Sequence, residues 1–406
     1  MKLAIMTQPL GRNYGGMMQA YALQKVLRDM GHEVVTINHH ASPQGTVYNL
    51  ARLGIRLLKK VTGERKLPVN FEKHYSYIFQ DTQAFVDKHI IQSKYIDNDK
   101  DLKSHFEKTN YDAVIVGSDQ TWRPMYSPNI HNYYLDFLEH DTNIKKIAYA
   151  SSFGVDTWEY SAEETYRCAE LAKLFDVISV REQSGVDLCK KYLGVESECV
   201  LDPTLLLDKE DYLVLIGDRY KGAQGKGVLT YFLDMNEEKE SAAEQLAGKL
   251  GTHTYKCYAN VSISQPTSAN VSDYKMPPVE EWLASFANAE FVLTDSFHGM
   301  VFSIIFEKPF LVVVNKERGA ARFESLLGKI GLLERIVEKP SAISMGARGE
   351  FISPCEILLD NLKRTNMINC SRVIAPLQLK SNCWFNAMFI VFFVSDKGRK
   401  FFRFFR

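Results

Sequence analysis

The stretch Phe291-Val-Leu-Thr-Asp-Ser-Phe-His-Gly-Met-Val-Phe-Ser-Ile-Ile-Phe306 constrains the fold more than any other. Ala289 to Leu293 is short, apolar and β-prone, as a buried strand is, and Met300 to Phe306 is an apolar helical run. Between them Thr294, Asp295 and Ser296 all carry side chains that cap helices. The pattern predicts a strand that breaks into a helix, with His298 at the join. In open α/β sheets that edge is where ligands bind, because amides at a helix start point into the crevice and favour anions. Gly299 lets a ligand or a second backbone come close. A lone histidine in such a place often does no more than satisfy a local hydrogen bond. The company of Asp295, Ser296 and Gly299 favours a functional one.

The same strand-to-polar-turn pattern recurs along the chain. Lys2 to Met6 reads as a first strand and Gly11-Arg-Asn-Tyr-Gly-Gly16 as a glycine-rich turn. A helix over Met17–Met30 and a strand over Glu33–Asn38 complete a βαβ opening, which predicts a parallel sheet. The turn is no GxGxxG fingerprint, and it reads equally as a structural turn or as a ligand loop offering Asn13, Gly15 and Gly16. Residues 41–101 are charged and aromatic with helical patches, and read as an insertion over one mouth of the sheet. The basic run at 59–66 reads as a solvated face.

Tyr111-Asp-Ala-Val-Ile-Val116 is the clearest strand of the first half, and it breaks into Gly117-Ser-Asp-Gln-Thr-Trp122. Asp119 and Gln120 suit sugar hydroxyls and Trp122 offers an apolar face, so Gly117, Ser118, Asp119, Gln120 and Trp122 form a candidate sugar site. An ordinary Asx turn is the alternative. Further strands at Lys146–Ala150, Val177–Val180 and Glu198–Leu201 follow. Arg181 directly after a buried strand is placed as an anion receptor, or else as the partner of Glu182 or a neighbour.

At 406 residues the chain exceeds one ordinary core. The charged break at Asp208–Asp211 separates an N-terminal α/β domain, 1–207, from a second, 212–340. Two such domains with polar strand ends imply a cleft to which each contributes. Lys+Arg and Asp+Glu both number 49, which argues against nucleic acid as a partner. The seven cysteines include no CxxC pair, so neither a disulfide framework nor a metal site is expected, and a reducing cytoplasm fits. Neither a signal peptide nor an apolar run of about 20 residues is visible, which points to a soluble protein.

Taken together, Asn13–Gln24, Val114–Trp122, Ile147–Gly154, Ile178–Glu182, Val200–Thr204 and Thr294–Gly299 resemble the polysaccharide pyruvyl transferase family, in family order over roughly residues 1–340. The resemblance implies two Rossmann-like domains in a GT-B-like arrangement. It also implies transfer of a pyruvyl group from phosphoenolpyruvate to two hydroxyls of one sugar, with a cyclic ketal and phosphate as products. Phosphoenolpyruvate would be a co-substrate, with no cofactor and no metal. The acceptor would be a cell-surface glycan or its lipid-linked precursor. By resemblance His298 is the general acid, suited by an ordinary pKa of about 6.5. Arg181 and Arg322 hold the donor beside Ser296, Phe297 and Gly299, although Arg322 reads equally as a surface residue at a helix start. The turn at Asn13–Gly16 and the Gly117–Trp122 segment face the acceptor. Some family members carry Arg where this chain has Ser296, so another cation must supply that charge. Two rival readings remain, a nucleotide-sugar glycosyltransferase of similar fold and a non-catalytic glycan-binding module.

From about Ser341 the resemblance stops, leaving an atypical tail to residue 406. Its last part, 383–406, is apolar and then basic-aromatic, which suits a membrane-surface contact at the inner face of the membrane, or a helix packed on the body. Asn382-Cys-Trp-Phe-Asn386 resembles the nucleophile segment of papain-like or ubiquitin-specific cysteine peptidases, but no histidine follows Cys383, so no activity is assigned to it.

Overall fold

The computed structural model describes residues 1–218, 226–263, 266–314 and 320–343. The expectations for Cys383 and for a membrane contact through 383–406 lie outside the described residues. In the first half the chain runs β1 (Lys2–Met6), α1 (Tyr14–Asp29), β2 (Glu33–Thr36), α2 (Thr46–Val61), α3 (Tyr75–Ile78), α4 (Gln80–His89), α5 (Asp99–Lys108), β3 (Ala113–Val116) and β4 (Lys145–Ser151). It continues through α6 (Ala162–Ala172), β5 (Val177–Val180), α7 (Gln183–Leu188), β6 (Glu198–Cys199) and α8 (Lys209–Ile216). The second half has β7 (Val228–Tyr231), α9 (Glu237–Lys249), β8 (Thr254–Tyr255), α10 (Val279–Asn288), β9 (Phe291–Thr294) and α11 (Phe297–Ile305). It closes with β10 (Phe310–Val313), α12 (Ala321–Lys329) and β11 (Ile336–Val337).

These strands form two parallel sheets, ordered β2-β1-β3-β4-β5-β6 and β11-β10-β9-β7-β8. Runs such as Ala113-Val-Ile-Val116, Phe291-Val-Leu-Thr294 and Phe310-Leu-Val-Val313 are buried at every position, because a parallel sheet is covered on both faces. In each sheet the strand order reverses once, between β1 and β3 and between β7 and β9, where Leu3 pairs with Ala113 and Val228 with Phe291. Such reversal points open a crevice at the carboxyl ends of the strands. The two crevices face each other, so the architecture is two Rossmann-like domains in a GT-B-like arrangement with a cleft between them.

The domains share one apolar core. Tyr14, Met17 and Met18 of α1 cluster with Trp282 and Phe286 of α10 and with Met300 and Phe302 of α11. Tyr14 stacks on Trp282 at 5.0 Å between centroids and its hydroxyl donates to the Pro277 carbonyl at 2.7 Å. The charged break at Asp208–Asp211 is not an open linker. It starts α8, where the Asp208 amide donates to Asp211 Oδ2 at 3.0 Å, and Tyr212 of that helix joins the shared core. Segment 41–101 is helical, and its Tyr75 and Phe79 wall one side of the cleft. The described cysteines, Cys168, Cys189, Cys199 and Cys257, are free thiols.

Candidate active site

The cleft encloses about 960 Å³ at the junction of the two crevices, the upper end of the size range of small-molecule sites. Two helix starts meet there. Asn13 caps α1 by accepting from the Gly16 amide at 3.3 Å, and Ser296 caps α11 by accepting from the Gly299 amide at 3.4 Å. Asp295 braces the loop opposite: it accepts from the amides of Leu233 and Asp234 at 2.6 and 3.2 Å and from Lys239 Nζ at 2.7 Å. That bracing fixes the end of β9, and with it the position of His298.

The His298 imidazole reaches out of the second domain to a buried carboxylate of the first. Nε2 lies 3.5 Å from Asp202 Oδ2, which is electrostatic contact at the limit of a hydrogen bond. Asp202 Oδ1 accepts from the Thr204 amide at 3.0 Å and from its hydroxyl at 2.7 Å, while Oδ2 accepts from Arg181 Nη1 at 2.8 Å. Burial opposes the charge of Asp202, but His298, Arg181 and Thr204 outweigh it and hold the carboxyl well below the usual carboxylate range. The other ring nitrogen, Nδ1, faces the first turn of α1 at Gly15, where any side chain would overlap it.

Arg181 is not the free anion receptor that its strand-end position suggested. Its side chain is buried, paired with Asp202 and 3.4 Å from Asp119 Oδ1, and it lies outside the lining of the cleft. Glu182 is not its partner either, because Glu182 Oε1 accepts from Ser152 Oγ and from the amides of Phe153 and Gly154. Arg322 does face the cleft. Its guanidinium lies 5.6 Å from the Phe297 ring, with Arg181 at 4.8 Å from the same ring, and its Nε has no hydrogen-bond partner. Burial and then the neighbouring Arg181 bring the Arg322 guanidinium down to about 10, so it is still charged at neutral pH. Arg12 is a second cleft cation, held over the rings of Tyr75 and Phe79 at 4.6 and 5.4 Å.

Of the residues singled out in the sequence, Asn13, Gly16, Asp119, Gln120, Asp295, Ser296, Phe297, His298 and Arg322 line this one cleft, and Gly15 adjoins it through His298. The others do not. Trp122 is wholly buried: its Nε1 donates to the Tyr133 carbonyl at 3.0 Å and its ring stacks on Tyr134. An indole at that turn fills the core, so it presents no face to a sugar. Ser118 is tied down by an amide bond to Gln19 Oε1 and a hydroxyl bond to the Ala150 carbonyl, both 3.0 Å. Gly117 has φ 122° and abuts the Tyr149 carbonyl, and Gly299 abuts Thr294 Oγ1 and Tyr231, so both glycines serve backbone packing rather than ligand approach.

Sequence reasoning gave Asp202 no role beyond its place in the Val200–Thr204 segment, and it missed Arg12. It also missed the exposed ring of Tyr126, which with Tyr258 gives the cleft the aromatic faces that Trp122 does not. The proximity of Tyr126 to the Asp119–Gln120 turn was the available signal. Among the described residues no three His, Cys, Asp or Glu side chains group so as to hold a metal ion. No described helix is long and apolar enough to cross a membrane.

A family model described as polysaccharide pyruvyl transferase matches residues 13–317. No curated protein matches the chain. Among solved structures, the chain is similar to a UDP-GlcNAc 2-epimerase from Neisseria meningitidis bound to UDP-GlcNAc, at 10% identity and TM-score 0.47 over 92% of this chain and 100% of that one. It is also similar to a putative UDP-N-acetylglucosamine 2-epimerase from Listeria monocytogenes, at 10% identity and TM-score 0.48 over 90% and 89%. A glycosyltransferase from Rickettsia africae matches at 11% identity and TM-score 0.45 over 92% and 98%. At these scores nothing about substrate follows from them.

Proposed function

The chain belongs to the polysaccharide pyruvyl transferase family, and from that premise we propose that it moves the pyruvyl group of phosphoenolpyruvate onto two hydroxyls of one sugar. A cyclic ketal forms and phosphate is released. The observation that carries the reading is the cross-domain pair of His298 with Asp202 beside Arg322, whose Nε has no hydrogen-bond partner among the described residues. Asp202 orients the ring, and Arg322, with Arg12 and the start of α11, supplies the positive field that a trianionic donor needs. This is the charge that Ser296 leaves unprovided.

The protonated imidazole gives its proton to the methylene carbon of the donor, and the adjoining carbon becomes oxocarbenium-like. A sugar hydroxyl oxygen bonds to that carbon and returns its proton to His298. The carbon–oxygen bond to phosphate then breaks as the second hydroxyl oxygen bonds, and that hydroxyl's proton leaves with the phosphate. Asp119 and Gln120 accept from or donate to the sugar hydroxyls, and Tyr126 lies against the sugar face. The acceptor is a cell-surface glycan or its lipid-linked precursor, and the reaction belongs in the cytoplasm, where the donor is made. Side chains do all the chemistry in this reading, so a chelator leaves turnover unchanged.

The test is calorimetric titration of phosphoenolpyruvate, and separately of sugar nucleotides, into wild-type protein and the Arg322→Ala variant. Saturable binding of phosphoenolpyruvate that the variant loses supports the reading. Binding of a sugar nucleotide with phosphoenolpyruvate ignored replaces it with glycosyl transfer.

A further inference from the structure

The helix after β2 turns the wrong face to water. On one side of α2, Arg52 Nη2 lies 2.6 Å from Glu72 Oε1 and Arg56 pairs with the same carboxylate. Lys60 Nζ donates to the Lys66 carbonyl at 2.9 Å, so the polar side of α2 is the one that meets the rest of the protein. On the other side Val47, Leu50, Leu58 and Val61 are 81, 69, 65 and 85% exposed, and no residue of the helix is buried. Their spacing places all four on a single stripe. Single exposed apolar residues need no explanation, but a continuous stripe marks a surface that something covers.

We propose that α2 lies flat in the headgroup layer of an anionic membrane, with this stripe immersed. Charge selects that occupant. The helix carries Arg52, Arg56, Lys59 and Lys60 and no acidic residue, and Arg65 and Lys66 follow with Glu64 alone against them. Glu72 takes up the two helix arginines, which leaves Lys59, Lys60 and Lys66 exposed at one end. Tyr48, an amphipathic ring suited to the interface, is exposed at the other. A basic helix with one apolar side is the composition of an interfacial anchor. A second copy of the chain fits less well. The stripe is only 16 residues long, about two heptads, and has no acidic side chains to pair across a coiled coil.

The placement also orients the cleft. Glu72, which pins α2, sits one residue after Phe71, whose ring meets Tyr274 of the second domain at 5.1 Å. The next turn carries Tyr75 and Phe79 of the cleft wall. A membrane under α2 therefore lies close to the cleft, which suits an acceptor carried on a lipid. The surface contact itself does not depend on which reaction the cleft runs.

The test is co-sedimentation of the full-length protein with vesicles of phosphatidylcholine, with and without one-third phosphatidylglycerol. Wild type is expected to sediment with the anionic vesicles only, and less so as salt rises. The double variant Leu50→Asp/Leu58→Asp is expected to lower the partition coefficient by a factor of about ten or more at an unchanged melting temperature, since both side chains already face water. Binding that survives this variant would place the contact elsewhere and overturn the proposal. Failure to bind either vesicle, or a soluble dimer that the same variant dissociates, would also overturn it.

Discussion

Gly15 of α1 and His298 of α11 approach so closely across the domain junction that a side-chain carbon on Gly15 would overlap the imidazole at Nδ1. The glycine sits in the first turn of an ordinary helix, so its backbone conformation does not call for glycine. The histidine does.

Replacing Gly15 with alanine therefore displaces the imidazole while leaving the helix intact. Gly15→Ala is expected to slow phosphate release about 10²-fold, the cost of misplacing a catalytic group by about an ångström. In a His298→Ala background the same change is expected to add nothing, because the group it disturbs is gone. A double-mutant cycle on phosphate release checks this. Independent effects would show that Gly15 acts through something else.

His298→Ala itself is expected to lower the rate about 10²–10⁴-fold, the range for losing a general acid. Its affinity for phosphoenolpyruvate should change much less, since in the proposed reading Arg322 and the helix starts hold the donor. Kinetics and calorimetry on one preparation separate the two. Full activity in the variant would leave only a binding role for the cleft.

Arg181 and Arg322 are expected to fail in opposite ways. Arg181→Ala leaves Asp202 buried without its partner, so it should destabilise the fold by about 3–5 kcal/mol. Arg322→Ala removes a cation that has no ion pair among the described residues, so it should leave the melting temperature near wild type and weaken donor binding about tenfold or more. Denaturation and calorimetry on both variants decide the matter. If Arg181→Ala were the one that stayed stable and lost donor affinity, the roles would be reversed.

Asp202 ties stability to pH with a definite sign. Its folded pKa lies below the unfolded value of about 3.9, so its contribution is complete above that value and fades as pH falls below it. The melting-temperature gap between wild type and Asp202→Asn should be wide at pH 7 and should shrink progressively as pH falls below about 4. A gap that stays constant across that range would show that the carboxylate is not the source.

The fold was legible in the sequence wherever burial on both sides of a sheet makes a strand apolar at every position. Ala113-Val-Ile-Val116 and Phe310-Leu-Val-Val313 are such runs, and the capping residues ahead of His298 mark the start of α11. The site was legible only in part, because strand-end position shows where a side chain begins and not what it meets. Arg181 stands at a strand end, but the carboxylate that takes up its charge is Asp202, brought alongside by β6. Trp122 follows a polar turn, yet its ring is drawn inward onto Tyr134. The inverted face of α2 was hidden for the same reason. Its periodicity reveals a stripe without saying on which side the protein lies.

The stacking of Tyr14 on Trp282 bears on how such enzymes can be inherited. A gene recombined near residue 208 would hand on the second sheet without α1, the helix that completes its core. The two halves are thus poor cassettes for exchange, because each relies on the other to close that core.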